Sequence, residues 1–380
     1  MKTITHVTAG LWKNTGGPAE SVPKLLKELS KQNKFKINLV TLEGNISDNV
    51  KELYDSKNIK IHFVKLNSAK NIYFNPGYIK VLKTIIKKSD IVHIQGMWLF
   101  PFWLAGYYTK KYNKKLVISP RGCVAPNRLL KSKLKKKIAT FLFDKKNLNN
   151  ADLIHATSEL EKDNVKKYGV ETESFVIPNG VDFIDTDKYT QKLIKSNKKI
   201  CLFLARLDPI KGLDILIESW GNVKNKGWLL VICGPDEKEY KKVLEDSIKS
   251  KGLENDVLLI DPVFGDVKYN LYTQASLFVL PSYGENFGIS IAESLSCGVP
   301  VITTNKTPWE DINSYNCGWY IDSTRKALDE AFEEALNIDA TLLISKGKNG
   351  VKLIKEKYGW KEIANRITET YNRLLLSQLS

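Results

Sequence analysis

The sequence predicts an α/β protein of two Rossmann-like domains facing each other. Three observations carry that prediction. Short apolar runs alternate with amphipathic helical patterns along the 380-residue chain, the rhythm of a parallel sheet covered on both faces. The series pauses at the polar turn IPNGVD, residues 177–182, and then starts again. The length suits two or three domains, and a hydrophobic fraction of 43% is ample for their cores.

The elements follow in order. ITHVTA reads as a first strand. A Gly16–Gly17 turn leads into a helix with Pro18 near its start and Val22, Leu25, Leu26 and Leu29 on one face. FKINLVTL and IKIHFVK are strands, YIKVLKTIIKK is helical, and DIVHIQ, KLVISP, ADLIHAT and SFVIP are further strands. In the second series KICLFLA is a strand and Leu213, Leu216, Ile217 and Trp220 stripe a helix. GWLLVICG and VLLI follow, and SLFVLP and VPVITT flank one more helix. Expected bounds are 1–183 and 184–360, with a last helix at about 361–380 that either caps its own domain or crosses back to the first.

The uncharged run at 91–109 has the length of a membrane span. It contains Gln95, Gly96 and Pro101, which suit a strand, a loop and a helix start better. The N-terminus turns polar too soon for a signal peptide. Five scattered cysteines with no CxxC point to reduced, cytosolic thiols, and four histidines show no metal-ligand spacing. The net charge is +16. Residues 1–183 hold 32 Lys and Arg against 15 Asp and Glu, and the rest comes to −1. The first domain therefore favours an anionic partner. A lysine-rich helix at 127–148 is either a solvated face or a contact with an anionic membrane surface.

In PSYGENFGISIAESLSCGVPVI, Glu285 sits in a loop before a helix that starts near Gly288. The amides of Gly288 and Ile289 are then left open to an anion. Glu293 lies about one turn in, among residues that read as buried. Together the two carboxylates could grip two sets of sugar hydroxyls. In LARLDPIKGLD, Arg206 follows a strand and Lys211 comes five residues later, a pair suited to a diphosphate. Taken alone, two surface cations in a solvated loop is the simpler reading. Gly17 would admit a ligand to the backbone, although a plain turn explains Gly-Gly as well. His93 and Gln95 alternate on a strand end and point into a cleft or are satisfied inside. Arg121, after the next strand, could meet an anionic acceptor. The DTD at 185–187 reads as linker.

Together, TGGPAESV, HIQGMW, SPRG, HATSELE, IPNGVD, RLDPIKGLD, ICGPD and the Glu285–Glu293 element occur in the order seen in family 4 retaining glycosyltransferases of the GT-B fold, which the chain resembles over nearly its whole length. The resemblance implies a deep interdomain cleft and a nucleotide-sugar bound by the second domain without metal or other cofactor. It implies that Arg206 and Lys211 stabilise the leaving diphosphate, Glu285 bonds the donor sugar and Glu293 the ribose. Phe287, Gly288 and Ile289 would line the donor, with Val263 and Gly234 near it and Gly17 approaching the diphosphate. The family commonly has a His-x-His-like strand end. Gln95 stands at the second position here, which leaves sugar orientation between His93 and Gln95. The implied reaction is retaining transfer to a saccharide, such as a polyprenyl-diphosphate-linked glycan, at the inner face of a bacterial plasma membrane during surface polysaccharide assembly.

Three rivals follow from the same residues. A glycoside hydrolase would use Glu285 and Glu293 as acid and nucleophile. An epimerase or phosphorylase would share the fold. A nucleic-acid-binding protein would use the basic half, but no nucleic-acid-binding module is recognisable.

Overall fold

The computed structural model describes residues 1–13, 17–65, 75–125, 143–223, 227–236 and 239–377. Most of the lysine-rich helix expected at 127–148 lies outside them. The chain divides into two units, Met1–Gly180 with Trp360–Ser380, and Val181–Gly359. The break falls a few residues before the boundary expected at 183, and the C-terminal helix belongs to the first unit.

Unit one is built on seven parallel strands: β1 (Lys2–Gly10), β2 (Phe35–Leu42), β3 (Ile59–Val64), β4 (Ile91–Gln95), β5 (Lys115–Ser119), β6 (Leu153–Ala156) and β7 (Ser174–Val176). Their order is β3-β2-β1-β4-β5-β6-β7. The winding reverses between β1 and β4, and in such sheets ligands bind beyond the strand ends at that reversal. Alternate side chains feed two cores. Ile4, Ile37, Ile91, Val117 and Leu153 pack against the helices Gly17–Lys31 and Trp360–Leu376. Val7, Val40, Val92, Ile94 and Ile118 pack with the helices Gly77–Ile86 and Phe100–Lys111 on the other side.

Unit two repeats the plan with six parallel strands: β8 (Lys199–Leu204), β9 (Trp228–Cys233), β10 (Val257–Ile260), β11 (Ala275–Leu280), β12 (Val301–Thr304) and β13 (Gly318–Ile321). Their order, β10-β9-β8-β11-β12-β13, puts the reversal between β8 and β11. The helix Leu213–Asn222 buries Leu213, Leu216, Ile217 and Trp220, the stripe read from the sequence. Trp220 meets Phe332 of the helix Arg325–Asn337 edge-on at 5.3 Å.

Among the described residues no helix is long and apolar enough to cross a membrane. The run at 91–109 resolves into β4, a loop with Gly96 and Trp98 at positive φ, and most of the helix Phe100–Lys111. Asp185 pairs with Lys188 at 3.2 Å beside a single 3-10 turn, Thr186–Lys188. All five cysteines are free thiols.

Candidate functional site

In unit two Arg206, Lys211 and Glu285 lie in the loops after β8 and β11, the strands on either side of the reversal, and Glu293 lies in the helix that follows. Arg206 lies half-buried just past β8. Asp208 then accepts the Ile210 amide at 3.1 Å and caps the short turn Pro209–Lys211. Gly212 ends that turn at φ +71, and a Cβ there would lie 2.1 Å from the Pro281 carbonyl oxygen, so only glycine lets the two loops close. The loops are stitched together. The Tyr283 amide and the Ser282 hydroxyl both donate to the Ile210 carbonyl, at 2.8 and 2.9 Å. The Lys211 ammonium donates to Glu285. Both side chains of that pair are mostly buried, 12% and 11% exposed, so the charge sits where electrostatics are strong. Gly234 closes the same corner, since a Cβ on it would lie 1.7 Å from the Ala205 carbonyl oxygen.

After β11 the chain turns on a buried aromatic anchor. Phe287 packs on Trp309 at 5.4 Å and on Tyr358 at 6.0 Å, and Trp309 Nε1 donates to the Phe287 carbonyl at 2.5 Å. The Phe287 ring thus faces the core of its unit. Gly288, at φ +78, opens the helix Ile289–Ser296, which no side chain caps. Ile289 is exposed at its first turn. Val263 is half-buried in the loop after β10, beside an exposed Phe264.

Glu293, the second predicted carboxylate, is held by two residues that sequence reasoning missed. Lys268 donates to its Oε1 at 2.5 Å, and Tyr272 donates to its Oε2 at 3.2 Å. Both come from the helix Asp266–Gln274, one turn apart on the same face. The i, i+4 spacing is visible in the sequence, but its partner lies more than twenty residues away.

In unit one Gly17 opens its helix, and a Cβ on it would meet nothing within 4 Å. Neither packing nor backbone strain within the unit demands glycine there. The residues proposed to orient a sugar lie elsewhere. His93 is fully buried, so the alternative of a satisfied strand histidine is the observed state, with side chains as partners in place of backbone.

Those partners form one ordered chain. At one end His155 Nε2 lies 2.8 Å from the Ile177 carbonyl, so it must carry the proton and His155 Nδ1 must accept from Ser119 at 2.9 Å. Ser119 Oγ therefore accepts from His93 Nε2 at 2.7 Å, and His93 Nδ1 accepts from Tyr371 at 2.7 Å. Tyr371 in turn accepts from His6 Nε2 at 3.2 Å, and His6 Nδ1 accepts from Gln95 Nε2 at 3.1 Å. The far end is Arg121, which gives Nε and Nη2 to Gln95 Oε1 at 2.9 and 2.7 Å and Nη1 to Asn179 at 2.6 Å. A donor-only guanidinium at one end and a carbonyl at the other fix every direction between them. All three histidines are neutral Nε2–H tautomers. Burial, with the nearby Arg121 charge, lowers His6 and His155 to about 3, and burial lowers His93 well below its usual value. The same burial brings Arg121 down to about 10.

Each histidine is two residues into the last part of its strand at the same parity as Ile4, Ile91 and Leu153, so the row continues an apolar face. Tyr371 brings the C-terminal helix into this chain. Tyr371→Phe leaves His6 Nε2–H and His93 Nδ1 without partners, a cost of about 1–3 kcal/mol for each orphaned group. The expected result in a denaturant titration is a lower midpoint at unchanged slope.

Among the described residues no cluster of three or more His, Cys, Asp or Glu side chains could hold a metal ion. The family model described as Glycosyltransferase Family 4 matches residues 15–183, and that described as Glycosyl transferases group 1 matches residues 185–350. GDP-mannose:cellobiosyl-diphosphopolyprenol alpha-mannosyltransferase of Xanthomonas campestris is 24% identical over 381 residues, covering 98% of this chain and 97% of its own. The capsular polysaccharide biosynthesis glycosyltransferase CapM of Staphylococcus aureus is 27% identical over 228 residues, and the match spans 58% of each protein. Among solved structures, Anabaena Alr3699/HepE in complex with UDP and glucose matches with a TM-score of 0.74 at 17% identity, over 98% of this chain and 100% of that one, a likeness of fold.

Proposed function

The chain belongs to the family 4 glycosyltransferases of the GT-B fold, and we propose that it moves a sugar from a nucleotide-sugar to a lipid-linked saccharide, with retention at the anomeric carbon and without a metal. The observation that carries this reading is the group of Arg206, Lys211, Glu285 and Glu293 around the β8/β11 reversal point. Arg206 and Lys211 supply positive charge to the diphosphate as its bond to the anomeric carbon breaks. Glu285, held by Lys211, accepts hydroxyls of the donor sugar, and Glu293 accepts those of the ribose. The open amides at Gly288 and Ile289 add a helix N-terminus for an anionic oxygen. The acceptor oxygen bonds the anomeric carbon on the face the diphosphate leaves, and its proton passes to the departing phosphate oxygen.

The acceptor assignment rests on charge and on relatives. The net charge of +17 in residues 1–183 suits a polyprenyl-diphosphate-linked glycan at an anionic membrane surface. The Xanthomonas relative is named for such an acceptor and the Staphylococcus relative for capsular polysaccharide. Assembly of a bacterial surface polysaccharide at the cytoplasmic face of the membrane is the setting this implies.

The test is thermal stabilisation by UDP-, GDP-, ADP- and dTDP-sugars with EDTA present. Selective stabilisation by one nucleotide class is the expected result. A shift that appears only when a divalent cation replaces EDTA would sink the metal-free reading, and no shift with any donor would sink the donor site.

A further inference from the structure

Glu293 is prepared for a diol by its neighbours. Its side chain is 13% exposed and that of Lys268 is 24% exposed. Each carboxylate oxygen already accepts one bond, Oε1 from Lys268 at 2.5 Å and Oε2 from Tyr272 at 3.2 Å. Tyr272 is fully buried, and its hydroxyl also lies 3.2 Å from the Ser290 carbonyl, one turn back on the helix of Glu293. The Lys268 ammonium sits 5.0 Å from the centre of the Tyr269 ring, which limits where it can swing.

A carboxylate has about four acceptor positions. Two face donors on one neighbouring helix, one on each oxygen, with the single Tyr272 proton shared between Glu293 and the Ser290 carbonyl. That leaves one on each oxygen, the pattern that matches two adjacent hydroxyl donors. A carboxylate free to rotate would lose entropy on meeting such a diol, and one already clamped loses less.

We infer that Lys268 is a positioning residue for ribose recognition: with Tyr272 it fixes the Glu293 carboxylate so that its two remaining acceptor positions receive the vicinal hydroxyls of a ribonucleotide. This rests on the donor site proposed above. Lys268 acts through Glu293 and not by attracting the diphosphate, and that distinction can be measured. Calorimetric affinities for UDP, GDP and ADP are compared with those for the 2′-deoxy forms. Wild type should favour the ribonucleotide of its preferred base by about tenfold, the worth of one charge-assisted hydrogen bond.

Lys268→Met should lose about tenfold on the ribonucleotide and no more than about twofold on the deoxynucleotide, which erases the discrimination. Glu293→Gln should do the same, and the double variant should be no worse than either single one, because both changes break one unit. Lys268→Arg should restore most of the discrimination. Tyr272→Phe removes only a hydroxyl, and should weaken discrimination even if Lys268→Met proves unstable. Equal losses on both nucleotides would overturn the proposal, since Lys268 would then act on the diphosphate. Undiminished discrimination in Lys268→Met and Tyr272→Phe would overturn it as well. A wild type that binds dTDP alone would overturn the proposal and leave the donor site standing, and one that binds neither dTDP nor any of these nucleotides would remove the donor site itself.

Discussion

Lys211→Ala is expected to lower sugar transfer by about a hundred- to thousandfold, the usual effect of removing one preorganised donor from a charge developing in the transition state. The same change leaves the Glu285 carboxylate mostly buried without its ammonium partner. The folded protein should lose about 1–3 kcal/mol as well, because an orphaned charged acceptor keeps its desolvation cost. The two effects separate in the double variant Lys211→Ala/Glu285→Ala. It removes both charges, so it should recover stability in a denaturant titration while transfer stays low. Transfer within tenfold of wild type for Lys211→Ala would sink the diphosphate role. Stability unchanged in the single variant would mean that water reaches Glu285 well enough to replace the lysine.

The pairing of Lys211 with Glu285 also shows where a sequence stops being legible. Both residues were found by their place after strand ends, because open parallel sheets collect ligands there. Their direct contact was not found. It depends on the loops after β8 and β11 meeting at the reversal of the sheet, through Gly212 lying on the Pro281 carbonyl. Strand order is a property of the whole unit and no local pattern contains it.

The strands are legible where a run rich in apolar and β-branched residues holds them. All seven of unit one and the first five of unit two match runs named from the sequence. The sixth, β13, escaped. It begins with Gly318, which leaves only Trp319, Tyr320 and Ile321 as an apolar run. The helices Arg325–Asn337 and Ala340–Leu353 went unremarked because they carry no motif.

The buried histidine row was missed for a different reason. His6, His93 and His155 were tested against metal-ligand spacing, which they lack. Their common feature is position: each falls near the end of a strand at the parity that faces the C-terminal helix. Side-chain parity is visible in one strand, but alignment across β1, β4 and β6 needs the register, which pairs His6 with His93 and Ile118 with Ile154. Gln95 then finds a place that the family comparison left open. It is a link between Arg121 and His6, a task for an amide that both donates and accepts.

That row makes unit one the acid-sensitive half of the protein. His6, His93 and His155 are neutral when folded because burial disfavours their charged forms, with His6 and His155 brought to about 3. In the unfolded chain each protonates near 6.5. Below that pH the unfolded state binds more protons than the folded one, so stability is full above about pH 6.5 and falls as the pH drops towards 3. Three such groups give a slope approaching about 4 kcal/mol per pH unit, partly offset between about pH 6 and 4 by Asp144, whose carboxyl is raised to about 6 by burial, against a total stability of about 5–15 kcal/mol for a typical domain. Unit one should therefore open between about pH 5 and 4. His62, half-buried on β3, shifts in the same direction and adds to the effect. Unit two contains no histidine, so it lacks this source of acid lability. Hydrogen exchange followed by mass spectrometry from pH 7 to 4, with rates corrected for intrinsic pH dependence, reads the two units separately. Peptides from β1, β4, β6 and the helix Trp360–Leu376 should lose protection first, while those from β8 and β11 remain slow. Loss of protection in unit two at the same pH would place the acid lability in carboxylate pairs shared by both halves, and the histidine row would then be a stable polar core with no part in it.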